Sequence, residues 1–477
     1  MTCIVLCGGA GAGLWPLSRN AYPKQFVNLI GDESLFKQTL RRNHAICDSS
    51  LVVTNFKHVF IAAGQYDELS LGGKKVEFLV EPVGRNTAPA IALACLHLNP
   101  DEIVLVSASD HLIRDEYAYR KLTQEALLLA EQGHMVTFGI KPEYPETGYG
   151  YLECNKTAAI NMLHAFEVVS FREKPEAALA NQFLESGRFL WNSGMFAFKT
   201  SVFLDELALY SPDIYQKSKV AFMNATICHD EGIGHRCIRI KEDDMQTIPS
   251  ESIDCAVIEK SDNVVCVESS MGWSDLGSFD SLFNVQEKDD SGNSIDQNMI
   301  EVGSRNNLVI SAQRRIALVG ISDCIIIDTE DSILIAKRGE SQGVKLIVEQ
   351  LKAGLTRDCE MTELDGTGYR PWGRYTLLDV AGNFKIKRIV VKPGKKLSLQ
   401  KHMHRSEHWV VVSGTATVTV EEEIRTIRTN ESVYIPITWI HRLENKEEID
   451  LVIIETQVGQ YLGEDDVIRL DDDYGRT

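Results

Sequence analysis

Residues 393–414, PGKKLSLQKHMHRSEHWVVVSG, decide the fold of the last part of the chain. Alternating apolar residues on both sides of its polar cluster predict short antiparallel strands. Gln400 and His402 are two residues apart, which places both side chains on one face of a strand, and Glu407 follows after a short break. This stretch therefore predicts a strand that presents three possible metal ligands.

A second stretch, residues 434–445 (YIPITWIHRLEN), adds His441. Glycine, proline and asparagine residues punctuate both stretches where a small barrel must turn. A lone strand histidine is more often solvated or satisfied in a core, but four of the twelve histidines lie from His402 to His441. Two imidazole nitrogens with oxygen donors suit zinc, cobalt, manganese or iron, and an incomplete protein ligand set leaves room for substrate.

Both stretches resemble the cupin domain of type II phosphomannose isomerases. The chain carries that family's Q-x-H-x4-E-x6-G box at 400–414 and its P-x4-H-x3-N box at 436–445, and the match continues through IIETQVGQYLGEDDVIRLDDDYGR. The resemblance implies a Zn²⁺ ion, or another divalent transition metal, held by Gln400, His402, Glu407 and His441. Thr438 stands where the family usually has glycine, a change expected to tilt His441.

The implied reaction interconverts mannose 6-phosphate and fructose 6-phosphate by moving a proton between C2 and C1. His404 and His408 flank the ligands and are candidates for proton transfer, because imidazole titrates near neutral pH. Arg405 and Arg476 are candidates for holding the substrate phosphate by a bidentate contact. Surface salt bridges are an equally good interpretation of each arginine.

The amino-acid composition limits the number of domains, the class of partner and the cellular compartment. A chain of 477 residues predicts two to four domains, and 44% apolar with 25% charged residues is typical of a globular protein without a bilayer-spanning run. A net charge of -19 argues against nucleic acid or an anionic membrane as the main partner. Eleven scattered cysteines, with no C-x-x-C pair and no signal-peptide pattern at the start, favour reduced thiols in the cytoplasm.

The first 283 residues alternate short apolar runs with helical stretches. The runs CIVLC, LVVT, VFIAAG, VEFLV, EIVLVSASD and MVTFGI are interpreted as strands, and FKQTLRRNHAI, APAIALACLHL and YRKLTQEALLLAEQG as helices. Such alternation predicts a mostly parallel α/β sheet covered on both faces, with ligands at the carboxyl ends of its strands.

Between residues 290 and 343, approximately, the apolar runs are shorter and predict a different type of structure. NLVI, IALVGI, CIIID and SILIAKR, separated by turn residues, fit a small β-helix-like connector, VKLIVEQLKAG a linking helix, and RDCEMTELDGTGYRPWG an exposed strap. The predicted domains are therefore 1–290, 291–350 and 351–477.

A glycine loop, Gly8-Gly9-Ala10-Gly11, follows the first strand. Such a turn lets backbone N–H groups approach phosphate oxygens. Leu14 replaces the last glycine of a Rossmann G-x-G-x-x-G, and no G-K-[ST] follows as in a P-loop. A dehydrogenase or P-loop NTPase is therefore disfavoured.

Several ordered motifs resemble the sugar-1-phosphate nucleotidyltransferases, most closely the mannose-1-phosphate guanylyltransferases. They are GGxGxxLWPLSR, YPKQF, EPVGRNTAPAIALA, SASDH, ETGYGY, FREKP, WNSGMF, SIDCAVIEK and WSDLG. The resemblance implies a Rossmann-like, GT-A-like mixed sheet that transfers GMP from GTP to mannose 1-phosphate, releasing GDP-mannose and pyrophosphate. With the cupin match, it implies a bifunctional enzyme of polysaccharide biosynthesis, for which a homodimer is a candidate assembly.

The same resemblance implies residue roles. Asp110 and Asp275 would hold Mg²⁺ against the reacting phosphates, with Lys24 and Lys174 as further catalytic residues. The nucleotide-binding set is Gly8, Gly9, Gly11, Lys24, Glu81, Arg85 and Asn86. The sugar-phosphate-binding set is Gly148, Glu173, Lys174 and Asn192. Taken singly, an aspartate after a strand is more often a turn or helix cap, and Arg85 could pair at the surface; their joint order outweighs those interpretations.

One departure predicts a weaker transferase. The family's opening loop reads GGxGTRLWP, whereas this chain has Ala12 and Gly13 in place of Thr and Arg. Losing a cation from a preorganised site costs roughly 100- to 1,000-fold in rate. The alternative function is therefore an active isomerase whose amino-terminal domain only binds GTP or a sugar phosphate, unless Arg19 or Lys24 substitutes. Gly13→Arg is expected to raise transferase turnover.

Overall fold

The computed structural model describes residues 1–9, 11–156, 164–230, 232–312, 314–329, 331–353 and 367–472. The chain divides into two units, the first Met1–His229 with His235–Thr362 and the second Asp230–Gly234 with Glu363–Thr477. Within the described ranges, no helix has the length and apolar character needed to cross a membrane.

The amino-terminal part of the first unit alternates strands with helices. Its strands are β1 (Thr2–Cys7), β2 (Ser49–Asn55), β3 (Lys75–Glu81), β4 (Ile103–Ala108), β5 (Leu112–Ile113), β6 (Met135–Ile140), β7 (Tyr151–Cys154), β8 (Ala165–Arg172), β9 (Phe189–Lys199), β10 (Thr226–Asp230), β11 (His235–Arg239), β12 (Val264–Ser269) and β13 (Trp273–Ser274). Its helices are α1 (Leu35–His44), α2 (Val59–Glu68), α3 (Thr87–His97), α4 (Glu116–Glu131), α5 (Ala177–Ser186), α6 (Thr200–Tyr210), α7 (Pro212–Met223), α8 (Glu242–Thr247) and α9 (Phe279–Val285).

Eleven of these strands form one mixed sheet in the order β10-β11-β3-β2-β1-β4-β9-β6-β12-β8-β7. Strand β1 pairs in parallel with β2 and β4, whereas β9 runs antiparallel between β4 and β6. The predicted parallel arrangement therefore holds on one side of the sheet. Because β1, β3 and β4 point the same way, the loops after them meet at one edge.

The predicted helices around α1, α3 and α4 are confirmed, but the strand predicted for VFIAAG is wrong. These residues begin α2, in which Val59, Ile61 and Ala62 are buried. A six-residue apolar run is too short to distinguish a strand from a buried helical turn by periodicity. The polar residues that follow continue the helix to Glu68.

The connector consists of short stacked strands and one helix. They are β14 (Met299–Val302), β15 (Leu308–Ser311), β16 (Ile316–Val319), β17 (Cys324–Asp328), β18 (Ile333–Lys337) and α10 (Val344–Ala353). Parallel pairing of β14 with β16 and of β15 with β17 gives the expected β-helix-like stack. Val344 and Val348 of α10 share a core with Leu14 and Phe279, so the connector packs within the first unit. The predicted strap lies mostly outside the described residues.

The second unit contains the expected barrel of two sheets. Its strands are β19 (Thr367–Arg370), β20 (Gly373–Ala381), β21 (Phe384–Val391), β22 (Leu399–His402), β23 (Arg405–Ser413), β24 (Thr415–Val420), β25 (Glu423–Arg428), β26 (Ser432–Ile435), β27 (His441–Glu444), β28 (Leu451–Gly459) and β29 (Val467–Asp471). The sheets run β19-β20-β21-β28-β23-β26 and β25-β24-β27-β22-β29. Trp409, Leu443 and Ile453 belong to the shared core.

Candidate active sites

A cavity of about 560 Å³ opens at the edge of the mixed sheet where β1, β3 and β4 end. This volume is within the range of small-molecule sites. Most residues predicted for the transferase site line it: Gly8, Gly9, Glu81, Arg85, Asn86, Asp110, Gly148, Glu173, Lys174, Asn192 and Asp275. The fold therefore brings together motifs that are far apart in the sequence.

Lys24 and Gly11 support one side of this cavity. Lys24 Nζ lies 2.9 Å from Asp110 Oδ2 and donates a hydrogen bond to the backbone carbonyl of Asp275 at 2.6 Å. Burial alone would raise the pKa of Asp110, but the charge of Lys24 holds it below its usual value. Gly11 has a φ of +61°, and a Cβ there would lie 2.9 Å from the Lys24 backbone nitrogen, so the position requires glycine.

Asp275 is oriented by its own loop and by an aromatic neighbour. Tyr149 donates its hydroxyl to Asp275 Oδ1 at 2.6 Å, and the Gly277 N–H donates to the same oxygen at 3.0 Å. Asp110 and Asp275 thus present carboxylate oxygens to one cavity, the donor type that suits Mg²⁺. Sequence reasoning missed Tyr149, although it lies in the quoted ETGYGY motif.

Lys174, Glu173 and Asn192 lie together in the cavity. Lys174 Nζ lies 2.8 Å from Glu173 Oε1, and this hydrogen bond raises the pKa of the lysine. Asn192 donates to Asp254 Oδ1 at 2.7 Å. Burial raises the pKa of Asp254 to about 6, and the charge of Glu173 adds to the effect. Asp254 was also missed, although it is the aspartate of SIDCAVIEK.

The end of β3 supplies a buried carboxyl group to the cavity. Glu81 is 7% exposed, and its Oε1 makes no hydrogen bond to any of the described residues. Burial raises its pKa to about 8. Asn86 accepts a hydrogen bond from the Thr87 N–H, which caps α3. Arg85 donates to the backbone carbonyls of Met245 and Gln246 at 3.3 and 2.5 Å rather than to a surface carboxylate.

The Gly13 loop is packed too tightly for the proposed arginine. A Cβ at Gly13 would lie 2.4 Å from the backbone oxygen of Gly277, two residues beyond Asp275. The expectation that Gly13→Arg raises turnover is therefore opposed by the structure, because the substitution must displace that backbone. Arg19 does not substitute, since its buried guanidinium forms a bidentate pair with Asp331. Lys24 is the one of the two that reaches the site.

In the second unit, His402, Glu407 and His441 present ligand atoms within 4.8 Å of one another. His402 Nε2 lies 3.0 Å from Glu407 Oε1, and His441 Nε2 lies 3.7 Å from Glu407 Oε2. Burial would raise the pKa of Glu407, but the hydrogen bond from His402 and the nearby positive groups hold it well below its usual range. All three side chains are buried.

The hydrogen bonds of His441 fit a metal ligand. Its Nδ1 lies 2.9 Å from the Trp439 carbonyl oxygen, which fixes that nitrogen as the donor. Its buried Nε2 has no hydrogen-bond partner in the part of the chain that the structure describes. Burial lowers the pKa of His441 and favours the neutral, coordinating form. Gln400 Nε2 lies 3.5 Å from His402 Nε2, so a flip of its amide would place an oxygen beside the cluster.

Thr438 does not displace His441 from this cluster. It adopts a φ of +72°, the left-handed conformation that glycine favours, and donates its N–H to the His402 carbonyl at 2.8 Å. The turn therefore keeps the shape expected with glycine, and the β-branched residue carries the strain.

The two histidines predicted to transfer protons lie elsewhere. His408 is exposed on the face of β23 opposite Glu407, next to the Tyr434 ring, so its assignment is wrong by strand alternation. His404 is exposed and pairs with Asp466 at 2.8 Å. Arg405 is buried, and its Nε lies 3.2 Å from Glu407 Oε1, which excludes a surface salt bridge. Arg476 lies outside the described residues.

Polar residues of β21 and β28 line the same cavity as Glu407 and Arg405. They are Lys387, Glu455 and Gln457, and all three are buried. A sequence signal existed, because Glu455 and Gln457 continue the inward-facing series begun by Leu451 and Ile453. Carboxyl and amide groups on the otherwise apolar, inward-facing side of β28 indicate a polar site inside the barrel.

The fold and these two sites define a nucleotidyltransferase joined to a cupin with a metal-ligand cluster. Three family models match the chain: "Nucleotidyl transferase" over residues 2–292, "MannoseP isomerase/GMP-like beta-helix domain" over 297–351 and "Mannose-6-phosphate isomerase C-terminal" over 357–472. The chain is 42% identical to a "Mannose-1-phosphate guanylyltransferase" of Salmonella montevideo, covering 100% of both chains. It is 43% identical to "Xanthan biosynthesis protein XanB" of Xanthomonas campestris pv. campestris, covering 99% of each.

Two solved structures each match a large part of the chain. One described as "mannose-1-phosphate geranyltransferase from Thermus thermophilus" is 26% identical, with a TM-score of 0.65, covering 74% of this chain and 99% of that one. One of "mannose-6-phosphate isomerase from Helicobacter pylori" is 36% identical, with a TM-score of 0.51, covering 57% and 99%. This chain belongs to the family of mannose-1-phosphate guanylyltransferases that carry a carboxyl-terminal mannose-6-phosphate isomerase domain.

Proposed function

We propose that this protein makes GDP-mannose from GTP and mannose 1-phosphate in its first unit and interconverts mannose 6-phosphate and fructose 6-phosphate in its barrel. The observation that carries the proposal is the convergence of the transferase motifs on one cavity and of His402, Glu407 and His441 on one possible metal site. Full-length similarity to a mannose-1-phosphate guanylyltransferase, together with the isomerase family model that matches residues 357–472, supports the pairing of the two activities in one chain.

In the transferase, the work of the protein is positioning and charge neutralisation. The loop of Gly8 and Gly9 would receive the phosphates of GTP, with Lys24 beside them. Asp110 and Asp275 would hold Mg²⁺. Lys174 would contact the phosphate of the sugar.

In the isomerase, His402, Glu407, His441 and Gln400 would hold Zn²⁺ or another divalent transition metal. The bound metal would polarise the two sugar oxygens. Buried Arg405 lies beside this ligand set, where it would hold the substrate.

We expect the protein to act in the cytoplasm. The ten cysteines in the described ranges are free, which supports a reducing cytoplasm. We expect GDP-mannose to feed polysaccharide biosynthesis, without a nucleic-acid or membrane partner. The proposed homodimer is testable by sedimentation.

Two assays on the purified full-length protein separate the proposal from its alternative. One contains GTP, mannose 1-phosphate and Mg²⁺, and the other contains fructose 6-phosphate and Zn²⁺ or Mn²⁺. Pyrophosphate release in the first and mannose 6-phosphate in the second support the bifunctional enzyme. Product in the second alone favours the alternative suggested by Ala12 and Gly13, an isomerase with a domain that binds GTP or a sugar phosphate. Product in neither contradicts both.

A further inference from the structure

Glu455 is a buried carboxyl group on the cavity wall next to the metal-ligand cluster. It lies in β28, where its register partners are Lys387 of β21 and Trp409 of β23. The side-chain amide of Gln457 donates to Glu455 Oε1 at 2.8 Å and to Glu407 Oε1 at 3.2 Å. The amide therefore fixes Glu455 relative to the cluster.

The other two carboxyl groups of this cavity are already committed. Glu407 contacts His402 and accepts hydrogen bonds from the Arg405 and Trp409 side chains. Glu464 is half-exposed and pairs with Lys387 at 2.6 Å, and its pKa is lowered to about 2 because the charge and hydrogen bond of Lys387 outweigh burial. Neither is suited to take up a proton near neutral pH.

Glu455 differs from both in its environment. It accepts a hydrogen bond from the neutral amide of Gln457, and its buried carboxyl group lines the cavity beside the metal-ligand cluster. Burial raises the pKa of Glu455, which favours uptake of a proton from a bound sugar by general acid–base catalysis. His404 and His408 are exposed, so neither side chain has the buried position that Glu455 has on the cavity wall.

We propose that Glu455 carries the proton between C2 and C1 in the isomerase reaction, an inference that rests on the proposed function. With the open-chain aldose bound, the Glu455 carboxylate takes the proton from C2, the C–H electron pair forms the C1=C2 bond, and the π electrons of the C1=O bond move to O1. The proton of the O2 hydroxyl passes to O1, and O2 then re-forms a C=O bond at C2 while the C1=C2 electron pair takes the proton back from the Glu455 carboxyl at C1. Atoms and electrons balance without an oxidant or reductant, because O1 gains the proton that O2 loses.

The test is Glu455→Gln in the full-length protein loaded with Zn²⁺ or Mn²⁺. Glutamine keeps the size of the side chain but cannot act as the base. We expect kcat with fructose 6-phosphate to fall by roughly 10²- to 10⁴-fold while KM changes little. In D₂O, deuterium incorporation at C1 and C2 should fall in parallel, and metal content measured by mass spectrometry should stay at the wild-type level.

Glu422→Gln, in an exposed hairpin turn, is the matched control and should keep wild-type turnover. An inactive wild-type isomerase would contradict the proposed function. An active wild type together with an equally active Glu455→Gln would overturn only this inference. If Glu455→Gln loses its metal or fails to fold, Glu455→Asp tests the proposed role instead, because aspartate keeps a carboxyl group. Metal-loaded Glu455→Asp with wild-type turnover and deuterium incorporation would also contradict the role, because its carboxyl is one carbon too short.

Discussion

The ammonium group of Lys24 lies 2.9 Å from the Asp110 carboxylate, at the edge of the transferase sheet where β4 ends. The same nitrogen donates to the backbone carbonyl of Asp275, so one cation contacts both aspartate positions. Because the ion pair keeps Asp110 ionised, the carboxylate is ready to bind a metal ion. Lys24 thereby brings positive charge to a loop that lacks an arginine at position 13.

Asp110→Asn tests the transferase site. The amide cannot neutralise a cation, so we expect pyrophosphate release from GTP and mannose 1-phosphate to fall by roughly 10²- to 10³-fold. Isomerase activity should be unchanged, because the barrel belongs to the second unit, and the thermal unfolding profile should match that of the wild type. Asp101→Asn, at an exposed turn, is the control. A transferase of normal rate would show that Asp110 has no part in binding Mg²⁺.

Gly13→Arg and Gly13→Ala separate charge from packing. Both add a Cβ that must displace the Gly277 carbonyl, so we expect both to lower the midpoint of thermal unfolding and the transferase rate. Calorimetry and a pyrophosphate assay measure the two effects. A faster Gly13→Arg enzyme beside a slower Gly13→Ala enzyme would show that the missing positive charge matters more than the crowded backbone.

Glu81→Gln tests a dependence of stability on pH. The folded protein keeps a proton on Glu81 up to about pH 8, whereas the unfolded chain releases it near the usual value of 4.5. Stability from this group therefore falls as pH rises through that window, by up to about 4 kcal/mol. Glutamine cannot ionise, so the stability of Glu81→Gln should lack this pH dependence. In the absence of ligand, the unfolding temperature of Glu81→Gln minus that of the wild type should therefore increase from pH 5 to pH 8.

Glu131→Gln, at the exposed end of α4, is the control for this experiment and should follow the wild-type profile. A difference between Glu81→Gln and wild type that stays constant with pH would mean that Glu81 ionises normally in the folded protein.

Thr438→Gly tests the strained turn before His441. A β-branched residue at positive φ lowers the folding stability by roughly 1–3 kcal/mol. Replacing it with glycine removes this strain, but the greater conformational entropy of glycine in the unfolded chain offsets about 0.5–1 kcal/mol of the gain. We expect a net gain of about 1 kcal/mol in the unfolding free energy of the barrel, measured by denaturant titration. Thr438→Ala retains a Cβ and should gain less. Equal gains from both variants would place the cost in the threonine methyl and hydroxyl instead.

His402→Ala tests the metal cluster. Removing this ligand should abolish bound metal and isomerase activity together, because ligand loss and catalysis share one site. Transferase activity should persist. Treatment with a chelator should reproduce the isomerase loss in the wild type, and added Zn²⁺ or Mn²⁺ should reverse it. Full isomerase activity in His402→Ala would exclude the ligand assignment.

The sequence by itself determined the modular order and most of the site residues. Strand alternation placed Gln400 and His402 on one face, the resemblance to the cupin family added Glu407 and His441, and ordered motifs identified Asp110, Lys174 and Asp275. These are local signals, because a two-residue spacing or a turn after a strand fixes where a side chain leaves the backbone. The same alternation, applied to β23, would have excluded His408.

Only the tertiary structure decided which side chains meet and which are already occupied. Arg19 and Lys24 are equivalent candidates in the sequence, yet Asp331, more than 300 residues later, pairs with Arg19 and leaves Lys24 at the site. Glu455 becomes a candidate base because Gln457 and Glu407 surround it in the barrel. Burial and partners set by distant parts of the chain determine the charge state and reach of a side chain, and neither is encoded by its neighbours in sequence.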